Sequence, residues 1–213
     1  MKKVSLILSA VMMTAMMLSS CGGGASTEVT IGTQVWTSKN LDVSAYRNGD
    51  AIPQVQDPKA WANLTTGAWC YYDNDASNDT KYGKLYNWYA VNDPRGLAPN
   101  GYHIPSDAEW TKLSDYLGGR SEAGTKMKST GTQYWQSPNT DATNESGFSG
   151  LPGGNRNVGG TFYGIGNHGF WWSSTEIGTY TAWGRGLIYD YGGVGSVEFH
   201  FKGDGFSVRC LRD

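Results

Sequence analysis

Glycine is the residue that most constrains the fold of this 213-residue chain. Its thirty glycines separate short runs that are rich in tyrosine and tryptophan. Glycine weakens the interior of a helix or strand because it loses more conformational freedom than other residues when it is ordered. Aromatic residues, by contrast, are typical of strands. The pattern predicts one domain of short strands joined by many turns, with few long helices.

Net charge limits the class of partner. The chain carries 17 Lys and Arg against 19 Asp and Glu, a formal charge of −2 at pH 7. Nucleic-acid binding needs a concentrated basic face that neutralises phosphates, and the sequence contains no such cluster. We therefore expect no nucleic-acid partner.

The first 27 residues predict export and a lipid anchor. Lys2 and Lys3 precede an apolar run over residues 4–18, which is typical of a secretory signal and short for a membrane span. A core helix is the alternative.

The next residues, "LSSC", resemble the lipobox of bacterial lipoproteins, in which the cysteine is acylated after cleavage. We predict a signal peptide over 1–20, lipidation of Cys21, a flexible Gly/Ser tether over 21–27, and a domain over 28–213. The resemblance implies a membrane partner through the anchor and a location on the cell envelope, at the outer membrane.

Two further cysteines remain in the exported domain, Cys70 and Cys210. An even pair in an oxidising compartment is usually bonded, which predicts a disulfide. Two unpaired buried thiols are the alternative.

The first half of the domain predicts strands and two helices. Val29, Ile31, Thr33 and Val35 alternate on one face, which indicates a strand over 28–41, and "RNGD" at 47–50 predicts a turn. A helix is expected over 79–93, where Tyr82, Leu85, Tyr86 and Tyr89 share one face.

The second helix has clear ends. Ser106 and Glu109 form a capping box, Trp110, Leu113 and Leu117 recur at core spacing, and Gly118 follows.

The second half predicts a long irregular region followed by four strands. Residues 119–168 are rich in Gly, Asn, Ser and Thr, and no period persists there. The strands are "GFWWSST", "AWGRGLIYD", "SVEFHF" and "FSVRCL", and a "KGDG" turn predicts that the last two form a hairpin.

Motifs spread along the domain resemble the Fibrobacter succinogenes major paralogous domain, a family of secreted bacterial domains. They are "IGTQVWTSKNLDVSAYRNGDAIP", "YGKLYNWYAVND", "GYHIPSDAEWTKLSDYLGG", "TNESGFSGLPGG", "GFWWSST" and "GFSVRCLRD". That family is similar in turn to the sulfatase-modifying, formylglycine-generating group. The resemblance implies an α+β, C-type lectin-like fold, with two short helices packed on a twisted antiparallel sheet beside a long loop region.

The same resemblance bears on catalysis. Formylglycine-generating enzymes oxidise a substrate cysteine with a pair of reactive cysteines near the C-terminus, and this chain has Cys210 alone in that region. We therefore expect no enzyme activity. The prediction is a non-catalytic surface module that binds a glycan or a protein partner. An enzyme related to the formylglycine generators and a structural paralogue without a ligand are the alternatives.

Two acidic segments are candidate ligand sites. Asp73, Asp75, Ser77 and Asp79 have the 1, 3, 5, 7 spacing of a calcium loop, although an Asx-turn is the alternative. Asn144 and Glu145 lie in the region that carries calcium and sugar ligands in C-type lectins, so the resemblance implies a ligand-binding role for them, and a solvated turn is the alternative. Calcium is accordingly a possible cofactor.

Tryptophan supplies the remaining candidates. Trp36, Trp88 and Trp110 lie on periodic apolar faces and are assigned to the core. Three others adjoin the Gly/Asn-rich segments and are predicted to bind a ligand: Trp135, Trp172 and Trp183. Trp171 and Trp172 are adjacent on a predicted strand and point to opposite faces. We therefore expect at most one of them in the core.

Overall fold

A computed structural model describes residues 28–213, and for residues 196–199 it describes the backbone alone. The predicted signal peptide, Cys21 and the tether lie outside these residues.

The described chain is an α+β domain of short elements. Its strands are β1 (Glu28–Ile31), β2 (Gln34–Thr37), β3 (Trp69–Cys70), β4 (Leu85–Tyr86), β5 (Tyr102–His103), β6 (Gly153–Arg156), β7 (Phe162–Ile165), β8 (His168–Glu176), β9 (Thr181–Ile188), β10 (Gly195–Phe201) and β11 (Leu211–Arg212). Its helices are α1 (Pro58–Ala62), α2 (Asp79–Tyr82), α3 (Trp88–Val91), α4 (Asp107–Tyr116) and α5 (Ala123–Met127).

The strands form three sheets. One has the order β1-β2-β11-β5, so the last strand lies between early ones and Leu211 pairs with both Trp36 and His103. A second has the order β10-β9-β8-β6-β7 and is antiparallel except where β6 meets β8. The third is the short pair β3-β4. Within residues 28–213, no helix has both the length and the apolar character needed to cross a bilayer.

The strand predicted over 28–41 is instead a hairpin. Gly32 has φ of +62°, a left-handed value that favours glycine, and it turns the chain so that Ile31 pairs with Gln34. The side-chain alternation reverses at this turn: Gln34 and Trp36 are buried while Thr33 is exposed. The predicted face of Val29, Ile31, Thr33 and Val35 is therefore wrong beyond Ile31.

The helix predicted over 79–93 is broken into three elements. Gly83, with φ of +70°, ends α2, and Leu85–Tyr86 then forms β4. The chain becomes helical again at α3, where the Asn87 side chain caps the start by accepting from the Ala90 amide. The prediction failed because pairing of Leu85 and Tyr86 with β3 outweighed the helical spacing of the apolar residues.

The second predicted helix is confirmed as α4. Ser106 and Glu109 form the capping box, and Gly118 has φ of +105° beyond the last turn. Trp110 and Leu113 are buried. The Trp110 indole donates to the Trp172 carbonyl at 3.3 Å, and the Trp88 indole of α3 donates to Ser173 at 2.9 Å. Both helices therefore dock on β8, which agrees with the predicted packing.

β8 has a core on each side. Trp172 stacks on Phe206 at 4.3 Å between ring centroids, whereas Trp171 contacts Phe148 at 5.7 Å in a separate cluster. Both tryptophans are fully buried. The expectation that at most one lies in the core is therefore wrong, because the sheet is covered on both faces.

The predicted C-terminal hairpin is also wrong. β10 pairs with β9, while residues 205–210 cross the core, where Phe206 bridges to Tyr86 and Ser207 bridges to Trp171. Phe206, Val208 and Cys210 of this segment are buried in one core cluster. The segment is surrounded by earlier elements, so its backbone bonds go to them rather than to β10.

Residues 119–168 are more regular than predicted, since they contain α5, β6 and β7. Buried cations join this region to the rest of the domain. Lys128 donates to the carbonyl oxygens of Thr140, Ile188 and Tyr191 at 2.9, 3.2 and 3.0 Å. Arg209 donates to the carbonyls of Thr37, Phe148 and Ser149. Buried side chains of this region and of the body of the fold therefore hold these loops in place.

Candidate functional site

Two of the predicted ligand-binding tryptophans belong to the core. Trp135 is 1% exposed and its indole donates to the Gly150 carbonyl at 3.1 Å. Trp172 is 0% exposed and its indole donates to the Tyr86 carbonyl at 2.7 Å. The prediction that they face a ligand is wrong, because neither ring reaches the surface and each polar atom has an internal partner.

Trp183 is the third, and its ligand-binding role stays a prediction. It is half-buried on β9, between the buried residues Ala182 and Gly184. Alternation along the strand places it on the same side as Arg185. The Arg185 guanidinium pairs with Asp107 at 2.6 Å at the start of α4. Trp183 therefore lies at the margin of the helix-covered face, with part of its surface open.

Asn144 and Glu145 do not converge on one ligand. Asn144 has φ of +52°, and its carboxamide accepts from the Ser149 amide at 2.8 Å and donates to the Ser149 hydroxyl at 2.9 Å. Its polar atoms close a turn. Glu145 is exposed, and its carboxylate is 4.0 Å from Lys126. Of the two, Glu145 is the one that remains free to meet a ligand.

The carboxylates of the predicted calcium loop are engaged separately. Asp75 accepts from the amide and the hydroxyl of Ser77, at 2.9 and 2.8 Å, and these bonds lower its pKa. Asp79 lies 3.4 Å from Lys84, and Asp73 lies in a left-handed turn with φ of +52°. Within residues 28–213, no group of three or more His, Cys, Asp or Glu side chains is arranged to hold a metal ion. The geometry is that of the alternative, an Asx-turn.

The predicted disulfide is wrong, because Cys70 and Cys210 are free and buried. Cys70 follows Trp69 on β3, and successive side chains of a strand point to opposite faces. Trp69 shares a core cluster with Cys210, whereas Cys70 packs in another with Trp61 and Leu85. Burial raises the pKa of each thiol to about 12.

The candidate functional site is a pair of adjoining clefts that share Tyr116, the last residue of α4, in their linings. The Tyr116 side chain is 66% exposed, because Leu113 and Leu117 take the core-facing positions of the helix. One side of its ring rests on Gly32: a Cβ atom added there would lie 2.9 Å from ring carbon Cδ2. The ring is thus an exposed aromatic surface with a fixed support.

The two clefts differ in charge. The larger, about 410 Å³, is lined by Ile31, Gly32, Thr33, Gln34, Lys112 and Tyr116. The smaller, about 160 Å³, also contains Tyr116 and is lined in addition by Glu145 and Ser146. One cleft therefore has a cation beside the tyrosine and the other a carboxylate. We call these the Tyr116 clefts.

A third cleft, of about 390 Å³, lies near the C-terminus and contains Arg47, His103 and Glu109. His103 contacts Asp213 at 2.8 Å and Glu109 at 2.9 Å through its two ring nitrogens. The Arg47 guanidinium donates to the carbonyls of Ala98 and Tyr102. Its charged groups are therefore already paired within the protein.

A second exposed aromatic surface lies at the 201–204 turn. Phe201 is 52% exposed and Tyr180 is 73% exposed. The Tyr180 carbonyl accepts from the Lys202 amide at 2.9 Å. The Asp204 carboxylate accepts from the amides of Phe201 and Val158. These bonds bring three exposed apolar side chains to one corner.

Sequence reasoning did not select Tyr116, Lys112 or His103 as functional residues. A signal for Tyr116 was present: the core spacing of Trp110, Leu113 and Leu117 leaves residue 116 off the buried stripe of α4. The contribution of Gly32 carried no such signal, because it depends on a contact between residues far apart in the chain.

The fold and these clefts define a class, an α+β domain of short strands with exposed aromatic side chains around a sheet that is covered on both faces. The chain belongs to the Fibrobacter succinogenes major domain family, whose model matches residues 29–212. This confirms the family predicted from the dispersed motifs. No curated protein and no solved structure matches the chain.

Proposed function

We propose that this protein is a lipoprotein of the cell envelope, anchored to the outer membrane through Cys21, whose domain is a non-catalytic module that binds a glycan or a protein partner. The observation that carries the proposal is Tyr116, a 66% exposed ring that is supported by Gly32 and lines two clefts. Exposed aromatic side chains that combine apolar area with a polar tip are enriched in binding surfaces.

We further propose that the domain is C-type lectin-like. The order of its elements supports this: early strands, α4, a long excursion over 119–168, and the antiparallel strands β8, β9 and β10. In such a scaffold the loops carry recognition while the sheet supplies rigidity. The function itself is argued from the clefts, not from the fold.

The burial of the thiols supports a non-catalytic role over the enzyme alternative. Oxidation of a substrate cysteine by a protein cysteine requires an accessible thiolate. Cys70 and Cys210 are both 0% exposed, and burial raises their pKa values to about 12. Neither thiol can act as the nucleophile without opening the core.

The anchor is tested by changing Cys21 to Ala in the full chain. We expect an uncleaved precursor that takes up no labelled fatty acid, whereas the wild type should be acylated and recovered with the outer membrane. Cys70→Ala is the control and should mature normally. Normal acylation of the Cys21 variant would refute the anchor.

The binding role is tested with the full chain solubilised in detergent. It is screened against immobilised oligosaccharides and envelope proteins, with and without EDTA. We expect binding that survives EDTA, because Ser77 and Lys84 already engage Asp75 and Asp79. Loss of binding in EDTA would instead support ligand binding that depends on calcium. Oxidation of a cysteine-containing peptide without any binding would support the enzyme instead.

A further inference from the structure

We propose that the Tyr116 clefts bind an acidic saccharide, with a sugar ring stacked on Tyr116 and its carboxylate paired with Lys112. This assignment rests on the proposed function as a binding module and gives it a site and a ligand class. It concerns residues from β1, the β1–β2 turn, α4 and the loop at 145–146, which come together only in the folded domain.

The shape of the site suits a sugar ring. The Tyr116 ring is exposed yet supported by Gly32, so a ligand can cover its open face without ordering a mobile side chain, which lowers the entropic cost of binding. The larger cleft, about 410 Å³, falls within the roughly 300–1,000 Å³ typical of small-molecule sites. Thr33 of the larger cleft and Thr30 of the smaller one are exposed, and hydroxyl groups both donate and accept hydrogen bonds, as sugar hydroxyls require.

The charge of the site favours an acid. Of the six residues that line the larger cleft, Lys112 is the charged one, and it has no ion-pair partner among the described side chains. An ammonium group pairs well with a carboxylate. Glu145 lines the smaller cleft and disfavours a carboxylate there. The ligand is therefore oriented with its acid group toward Lys112.

The His103 cleft is the less suitable of the two larger cavities. The His103 imidazole contacts two carboxylates, and the Arg47 guanidinium donates to two carbonyl oxygens. A ligand there would have to displace bonds that these groups already make within the protein. At the Tyr116 clefts, by contrast, the ammonium of Lys112 is solvent-exposed and available.

The test measures calorimetric binding of a uronic acid trisaccharide and of its methyl ester to the solubilised full chain. The ester removes the negative charge of each carboxylate and adds one methyl group in its place. We expect the acid to bind more tightly, and the difference to shrink as salt is added. Tyr116→Ala should weaken both by about tenfold, and Tyr116→Phe should retain most of the affinity for both.

Lys112→Gln should weaken the acid alone, by roughly two- to fivefold, the range of an exposed ion pair. Tyr180→Ala is the matched control, an exposed tyrosine elsewhere, and should change neither affinity. If neither trisaccharide binds, or if Tyr180→Ala rather than Tyr116→Ala abolishes binding, the site assignment is overturned. If the screen of oligosaccharides and envelope proteins still finds a ligand, the proposed binding function remains supported. If that screen finds none, the site assignment and the proposed function are both refuted.

Discussion

At the scale of single residues, buried cations that donate to backbone carbonyls are the most unusual feature of the molecule. Arg156 is fully buried and donates to the carbonyls of Val55, Gln56 and Gly160. Arg209 and Lys128 do the same elsewhere. Burial lowers the pKa of Arg209 to about 9. Each cation satisfies several loop carbonyls at once, which offsets part of the cost of its own desolvation.

Lys128 provides a direct test of this interaction. Changing Lys128 to Met keeps the apolar stem but leaves the carbonyls of Thr140 and Tyr191 without this donor, while the Ile188 carbonyl still accepts from the Tyr191 amide. We expect the free energy of unfolding to fall by about 2–3 kcal/mol, since an orphaned buried acceptor costs roughly 1 kcal/mol or more. Urea denaturation measures the change. Lys126→Met is the control, and its effect should stay within about 0.5 kcal/mol. Equal losses for the two variants would contradict the argument.

At the scale of elements, glycines divide segments whose apolar spacing predicts longer ones. Gly83 ends α2 although the apolar spacing of the sequence predicts a helix that continues to residue 93. Gly32 divides one predicted strand into β1 and β2. Both have positive φ, a conformation that costs an L-residue about 1–2 kcal/mol. The turn at Gly32 also supports Tyr116, so the same residue shapes both the hairpin and the candidate site.

Gly32→Ala should affect stability and the site, whereas Gly101→Ala should affect stability alone. Both glycines have left-handed φ, +62° and +80°, so each variant should lose about 1 kcal/mol of unfolding free energy. An added Cβ meets Tyr116 at residue 32 and nothing within 4 Å at residue 101. Only the first should displace the exposed ring. The measurement is the NMR shift of the Tyr116 ring protons, and unchanged shifts in Gly32→Ala would count against the contact.

At the scale of the whole molecule, His103 joins three parts of the chain. It lies on β5, its Nε2 contacts Glu109 of α4 and its Nδ1 contacts Asp213, the residue after β11. Burial by itself lowers the pKa of His103, but the hydrogen bonds to Asp213 and Glu109 outweigh it, so the pKa is raised. The protonated ring therefore holds the C-terminus to α4.

This link predicts a pH dependence with a defined sign. Since the folded pKa of His103 is raised, its stabilisation is fully present below the unfolded value of about 6.5 and is lost as pH rises through the folded value. The stability difference between wild type and His103→Gln should thus shrink as pH rises above about 6.5. Urea denaturation across this range measures it.

His168 provides a control of opposite sign. Burial, only partly offset by Asp190, lowers its pKa, so its contribution is present above about pH 6.5 and is lost as pH falls. Difference curves for His103→Gln and His168→Gln should therefore slope in opposite directions. Parallel curves would show that the His103 contacts do not set the dependence.

The sequence by itself determined the features that depend on local pattern. α4 with its capping box, the strands β8, β9 and β10, and the burial of Trp36, Trp88 and Trp110 follow from periodicity, caps and turn residues within a few positions of each other. The family followed in the same way, because its motifs are short local strings, and the match over residues 29–212 confirms it.

Only the tertiary structure decided what is buried and what is brought together. Trp172 is buried because both faces of β8 are covered by distant segments. Trp135 is buried because distant segments also cover the loop after α5. Cys70 and Cys210 stayed free because β3 directs Cys70 into a different cluster. The Tyr116 clefts join residues 30–34, 112–117 and 145–146. Burial and proximity are properties of contacts between remote residues, and no spacing along the chain encodes them directly.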